Sequence, residues 1–125
     1  LKKPVLELLS NGQDVLFDID WQGTKQLNEI KDLSIVTFFI LPPNRKILKE
    51  RLLNRHKRQE EIVEKRMNKF SEEVSHWNEY NYVVVNDDLE ECYNKILSII
   101  NSEKRGLSQK QDLSDIKNKI NELIR

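Results

Sequence analysis

The chain has 125 residues, and its 21 lysines and arginines are balanced by 21 aspartates and glutamates, so the formal net charge is zero. A chain of this length buries roughly two-thirds of its unfolded surface, which is enough for one hydrophobic core in one domain. The charge balance excludes a global attraction to nucleic acid or to an anionic membrane. The contents of 34% charged and 38% hydrophobic residues are typical of a folded, soluble protein.

Several kinds of segment and site are missing from the sequence. No apolar run approaches the roughly 20 residues that cross a bilayer, so we expect a cytoplasmic protein. The single cysteine, Cys92, cannot form an internal disulfide, and no His/Cys cluster with zinc spacing surrounds it. The glycines Gly12, Gly23 and Gly106 do not form a Gly-x-x-x-x-Gly-Lys-Ser/Thr phosphate loop. Because the chain starts at Leu1 inside a helical pattern, we expect it to be cut from a longer chain.

Helical and strand patterns alternate along the whole chain. Apolar residues three and four positions apart predict helices, and short continuous apolar runs predict strands that are covered on both faces. In chain order we predict a helix over 2–11, a strand over 14–20, a short helix over 24–30, a strand over 35–41, a helix capped by Asn44, a mobile basic loop over 54–58, a long helix over 59–78, a strand over 82–85, a helix over 89–100 and a last helix over 112–123. Such alternation indicates an α/β fold with a parallel sheet and helices on both faces.

Two carboxylates lie at the end of the first predicted strand. Asp18 and Asp20 follow the apolar run 15–17, and ligands of open parallel sheets bind beyond the carboxyl ends of the strands. A carboxylate at such an end suits Mg²⁺, since this hard cation takes oxygen ligands. The alternative is that either aspartate only caps the following helix. The two interpretations are equally compatible with these residues.

A cluster of basic residues surrounds the predicted loop. Arg51 and Arg55 are four positions apart and share one helix face, while Arg66 lies on the next helix and can point back across the loop. Converging guanidiniums suit a triphosphate, because they offer forked donors to its oxygens and oppose its charge. The alternative, favoured by composition alone, is a solvated helix face paired with nearby glutamates.

A third polar group follows the strand over 82–85. Asn86 could read the edge of a base through its side-chain amide, and Asp87 stands beside it. Asp88 is better placed to cap the helix that follows.

Taken in order, these groups resemble the bacterial guanylate kinase family. The segments that carry the resemblance are DVLFDIDWQG at 14–23, FILPP at 39–43, the arginines at 51, 55 and 66, the residues His76, Glu79 and Tyr80, and YVVVNDD at 82–88. The eleven-residue step from Arg55 to Arg66 matches the family's spacing, and the resemblance extends over about 2–105. It implies a P-loop nucleoside monophosphate kinase-like fold with a helical lid over about 51–66. Residues 106–125 lie outside it and are predicted to form an added helix.

The resemblance also implies roles for individual residues. The activity would be phosphate transfer from ATP to GMP with Mg²⁺ as cofactor, without nucleic acid or membrane partners, and self-association stays open. Arg51, Arg55 and Arg66 would be the catalytic lid arginines that close on the ATP phosphates. The nucleotide-binding residues would be Asp18 near the metal, Asp20 near GMP, Gln22 and Gly23 in the turn after the strand, and Asn86 with Asp87 around the adenine.

The sequence also departs from the family. Asn54 and His56 stand where the family usually has glycines beside the second lid arginine, which implies a stiffer lid. The amino-terminal third that would supply the phosphate loop is not in these residues, so we expect this piece alone to be inactive. Two alternatives to a kinase are a non-catalytic guanylate-kinase-like interaction module and a degenerate remnant.

Overall fold

The computed structural model describes residues 2–124, with side chains from residue 3 onward. In chain order its elements are α1 (Lys2–Ser10), α2 (Trp21–Asn28), β1 (Phe38–Leu41), α3 (Arg45–Arg55), α4 (Glu60–Val74), a short 3₁₀ turn (Trp77–Glu79), β2 (Tyr82–Val85), α5 (Leu89–Lys104) and α6 (Leu113–Leu123), so pairs of helices flank each strand. Asn44 caps α3 by accepting from the Ile47 amide at 2.8 Å, and Asp88 caps α5 by accepting from the Glu91 amide at 2.9 Å. Both predicted caps are confirmed.

The two strands form a parallel sheet that is covered on both faces. β1 and β2 pair in register from Phe38 opposite Tyr82 to Leu41 opposite Val85. Side chains of successive strand residues point to opposite faces, and the core divides accordingly. One face packs on α4 and α6, through Phe39, Leu41, Val83, Val74, Ile120 and Leu123, and the other packs on α5, through Tyr82, Val84, Cys92 and Ile99. The predicted α/β class with flanking helices is confirmed.

The segment before α6 closes the outer edge of β2. The side-chain amide of Gln111 accepts from the Val83 backbone N–H and donates to the Val83 carbonyl, both at 2.9 Å. One side chain thus makes the two bonds that a further strand would make. The predicted helix over 112–123 forms one residue later, and its Leu123 is fully buried in the core.

The strand predicted over 14–20 is wrong. This stretch has no strand pairing, and Leu16 is 93% exposed. A strand needs a neighbour to satisfy its N–H and C=O groups, and no described residue pairs with these. The apolar run is not helical, as its short length predicts. Strand pairing, however, depends on a second segment that the run itself does not encode.

Several predicted boundaries also shift. β1 starts at Phe38 rather than at residue 35, and the long helix ends at Val74 before the 3₁₀ turn. The predicted loop over 54–58 is shorter than expected, because α3 continues to Arg55 and its end is held by the Arg58 amide donating to the Leu53 carbonyl at 2.7 Å. No described helix is long and apolar enough to cross a membrane.

Candidate nucleotide site

The carboxyl ends of β1 and β2 lie side by side and lead into polar residues. The Asn86 backbone N–H donates to the Leu41 carbonyl at 2.7 Å, which continues the pairing one residue beyond β2. Asn86 is half-buried and Asp87 is exposed. Because α3 and α5 both begin at this edge, their amino termini add partial positive charge to it.

Arg51 joins α3 to this edge. Its guanidinium donates to the Asn86 carbonyl at 2.8 Å and to the Asp87 carbonyl at 3.2 Å. The contact brings α3 to the residues that follow β2, and it is made to their backbone oxygens.

Helices α3 and α4 form a hairpin with its own small core of Leu52, Val63 and Met67. Arg55 and Arg66 are exposed on this hairpin and make no ion pair or hydrogen bond within the described part of the chain. The basic residue that pairs with a glutamate here is Arg58, whose Nη1 is 3.9 Å from Glu50 Oε2 in an exposed pair. Ion pairs of the three arginines with glutamates are thus not seen among the described residues, while the exposure of Arg55 and Arg66 is compatible with a solvated helix face.

A second group lies at the start of α2. Asp20 Oδ1 accepts from the Gly23 amide at 2.8 Å, so Asp20 caps this helix. A Cβ at Gly23 would lie 3.2 Å from Ile19 Cβ, which explains why glycine fits this turn. Asp18 and Gln22 are exposed. The capping interpretation of Asp20 is thus seen directly, and its second carboxylate oxygen makes no hydrogen bond within the described residues.

Asp18 lies at the rim of a largely apolar cavity of about 520 Å³. The cavity lies between the stretch over 15–19 and β1, and Thr24 and Tyr80 add polar atoms to its lining. The two groups of predicted site residues, around Arg51 and around Asp20, are not joined by any hydrogen bond or ion pair among residues 2–124.

The sequence did not predict a set of contacts between the start of α2, next to Asp20, and the end of α4. The Trp21 ring stacks on His76 with centroids 3.7 Å apart, and the Trp21 amide donates to Glu73 Oε2 at 3.4 Å. Burial raises the pKa of Tyr80, and the neighbouring Thr24 side chain offsets part of this rise. No spacing in the sequence links α2 to the end of α4, so these contacts could not be predicted from it.

A magnesium ion fits this donor set only in part. The described residues contain no group of three His, Cys, Asp or Glu side chains that could hold a metal ion. Mg²⁺ in nucleotide sites usually takes one or two carboxylates together with phosphate oxygens and water. The exposed carboxylate of Asp18 could provide one such ligand.

Comparison with known proteins identifies what the chain is similar to. The family model described as guanylate kinase matches residues 2–103. Guanylate kinases of Bradyrhizobium diazoefficiens and Nitrobacter hamburgensis are 48% and 45% identical over 103 residues, which cover 82% of this chain and 47% of each relative. That of Mesorhizobium japonicum is 41% identical over 114 residues, or 91% of this chain and 52% of the relative. The chain therefore spans about half the length of these relatives.

Proposed function

The chain belongs to the guanylate kinase family, and from this premise we propose that it is the carboxy-terminal part of an enzyme that transfers the terminal phosphate of ATP to GMP. The products would be ADP and GDP, within purine nucleotide metabolism. The observation that carries the proposal is the pair of exposed, unpaired arginines, Arg55 and Arg66, on a hairpin that Arg51 ties to the carboxyl edge of the sheet.

Phosphate transfer needs these groups for charge and position rather than for proton transfer. Charge spreads over the oxygens of the transferred group in the transition state. Arg55 and Arg66 offer forked donors that oppose this charge, and no described group binds their guanidiniums in advance. In the proposed enzyme both arginines are catalytic residues of a lid over about 51–66.

The two nucleotides would bind at the two groups of predicted site residues. Asn86 and Asp87 follow β2 and would border the adenine, which an amide side chain can read by hydrogen bonds. Asp20 would accept hydrogen bonds from GMP through its second oxygen, and Gln22 and Gly23 would shape the turn beside it. When bound, Mg²⁺ would neutralise phosphate charge, and Asp18 is the residue that would hold it.

These 125 residues contain no phosphate-loop motif, so we propose that they are inactive alone and act together with the half of the family's length that they do not match. The extra segment over 106–125 would support the domain over 1–105, because Ile120 and Leu123 of its helix pack in the same core. A cytoplasmic location is part of the proposal, because ATP and GMP are cytoplasmic metabolites.

The two alternatives to a kinase differ in whether they explain the presence of the three arginines. An interaction module gains nothing from phosphate ligands, so free arginines argue against it. A degenerate remnant could retain them by descent, and an activity measurement is needed to separate it from an enzyme.

A hybrid enzyme tests the proposal. The part of the Bradyrhizobium diazoefficiens guanylate kinase that precedes its matched segment is joined to this chain, and ADP formation from ATP and GMP is followed by a coupled assay. We expect turnover that requires both nucleotides and Mg²⁺. A folded hybrid that binds GMP but transfers no phosphate would leave the remnant as the better explanation.

A further inference from the structure

We propose that Arg51 is a positioning residue, which fixes the loop after β2 for recognition of the ATP base rather than binding the transferred phosphate. The inference rests on the proposed function and changes the role that the family resemblance implied for this arginine. It depends on the contacts of one guanidinium with two consecutive carbonyl groups.

The guanidinium is already engaged. Nη1 donates to the Asn86 carbonyl at 2.8 Å and Nη2 donates to the Asp87 carbonyl at 3.2 Å. A guanidinium presents its donors in a rigid planar fork, so two bonds to adjacent peptide units fix both the side chain and the backbone that accepts them. Arg51 is also half-buried, whereas Arg55 and Arg66 are exposed without such partners.

The loop that Arg51 holds is fixed at two further points. The Asn86 amide bonds to the Leu41 carbonyl at 2.7 Å, and Asp88 caps α5 by its bond to the Glu91 amide. Between these points, the backbone of Asn86 and Asp87 depends on Arg51 for its side-chain partner. Loss of Arg51 would therefore free the peptide units that carry the two proposed adenine-side residues.

Base preference separates the two roles. A ligand of the phosphates acts alike on every nucleoside triphosphate, since all share the triphosphate group. A residue that positions Asn86 and Asp87 acts through the base and changes the preference for one base over another. The ratio of kcat/KM for ATP to kcat/KM for CTP therefore reports the positioning role.

The experiment uses the hybrid enzyme with Arg51→Ala, Arg51→Lys and, for comparison, Arg55→Ala. We expect Arg51→Ala to lower the ATP-to-CTP ratio by about tenfold, which corresponds to about 1.4 kcal/mol, mainly through KM for the triphosphate. Lysine is a point donor without the fork, so Arg51→Lys should restore the ratio only in part. Arg55→Ala should lower kcat with both triphosphates and leave the ratio unchanged. Lys49→Ala, which removes an exposed charge from the same helix, is the matched control and should behave as the unsubstituted hybrid.

Equal losses with ATP and CTP in Arg51→Ala would assign this residue to the phosphates and overturn the proposal, as would no loss at all. Hydrogen exchange of the amides over 86–88 gives a second readout that needs no activity. We expect faster exchange there in Arg51→Ala and Arg51→Lys than in Lys49→Ala. Unchanged exchange would contradict the proposal that Arg51 holds the loop after β2. If the unsubstituted hybrid transfers no phosphate, the proposed function fails, while the exchange measurement still decides whether Arg51 holds the loop.

Discussion

At the scale of single residues, Arg66 has an environment that suits a phosphate. It lies exposed on α4 and has no partner among the described residues, so its guanidinium loses no contact on meeting a phosphate. We expect Arg66→Ala in the hybrid enzyme to lower kcat by roughly a thousandfold, the lower end of what arginine contributes to phosphoryl transfer. The melting temperature should stay unchanged, because the side chain supports no packing.

The control for this prediction is Lys69→Ala, which removes an exposed charge from the same helix. It should leave both kcat and melting temperature as they were. An Arg66→Ala protein that loses stability and activity together would show a structural residue.

Asp20 combines a structural and a proposed binding role, and substitutions can separate them. Asp20→Ala removes both the charge and the cap of α2, and loss of such a cap costs about 1 kcal/mol. Asp20→Asn removes the charge but keeps an oxygen that can accept from the Gly23 amide. We expect Asp20→Asn to weaken GMP binding without changing ATP binding or the unfolding free energy.

Calorimetric titration with each nucleotide measures this difference in the hybrid enzyme. Equal weakening of GMP and ATP would place Asp20 outside the GMP half of the site. Unchanged binding of both would leave Asp20 with its capping role alone.

At the scale of elements, the segment after α5 substitutes for a strand at the edge of β2. Gln111→Ala would leave the Val83 N–H and C=O without their partner, and each buried unsatisfied group costs about 1–3 kcal/mol. We expect a loss of about 2 kcal/mol or more in unfolding free energy, measured by urea denaturation of the hybrid. Lys110→Ala, at the exposed neighbouring position, should cause no loss, and equal effects of the two substitutions would contradict the edge role.

The same segment makes stability depend on pH through Tyr82. Its hydroxyl donates to the Glu103 carboxylate and accepts from the Gln109 amide at 3.1 Å. The bond to Glu103 and the burial of the ring raise the pKa of Tyr82 above its ordinary value of 10.0. A raised pKa in the folded state stabilises the protein below pH 10, and this contribution disappears as pH rises through the folded-state pKa.

We therefore expect the unfolding free energy of the hybrid to fall as pH rises above about 10, and to fall less steeply in Tyr82→Phe. Any slope left in Tyr82→Phe includes the contribution of Tyr80, whose pKa is also raised. Identical slopes in the two proteins above pH 10 would show that the Tyr82 hydroxyl does not couple to folding. Urea denaturation at a series of pH values gives both curves.

At the scale of the whole molecule, the sheet has an open edge among the described residues. β1 pairs with β2 on one edge and with no described residue on the other, and the stretch over 14–20 has no strand partner. The apolar cavity lies between them. In the strand order that the family resemblance implies, the phosphate-loop strand would lie between 14–20 and β1, so the isolated 125 residues should expose backbone groups that favour pairing with another chain.

We expect the isolated piece to unfold readily or aggregate, and to transfer no phosphate at any GMP concentration. Adding the amino-terminal part of a relative as a separate chain should restore some transfer. Light scattering, denaturation and the coupled assay test this. A soluble monomer that unfolds cooperatively, with 14–20 paired directly to β1, would overturn the strand order, and transfer by the piece alone would show that it lacks nothing essential.

Local chemistry let the sequence by itself determine much of this protein. Apolar periodicity predicted the helices, the two covered strands that form and the α/β class, because burial of each face requires that spacing. The caps at Asn44 and Asp88 followed from side chains that can accept from the next turn's amides. The arginines were identifiable as candidates because their spacing and charge suit a triphosphate.

Tertiary structure alone decided which contacts form between separate elements. An apolar run over 15–17 does not form a strand without a partner, since pairing is a property of two segments. Arg51 bonds to carbonyls that lie 35 and 36 positions away, and Gln111 reaches Val83 across 28 positions. The spacing of side chains shows which face of one helix or strand is buried. A hydrogen bond between two elements depends on how they pack together, and the local sequence pattern does not encode that packing.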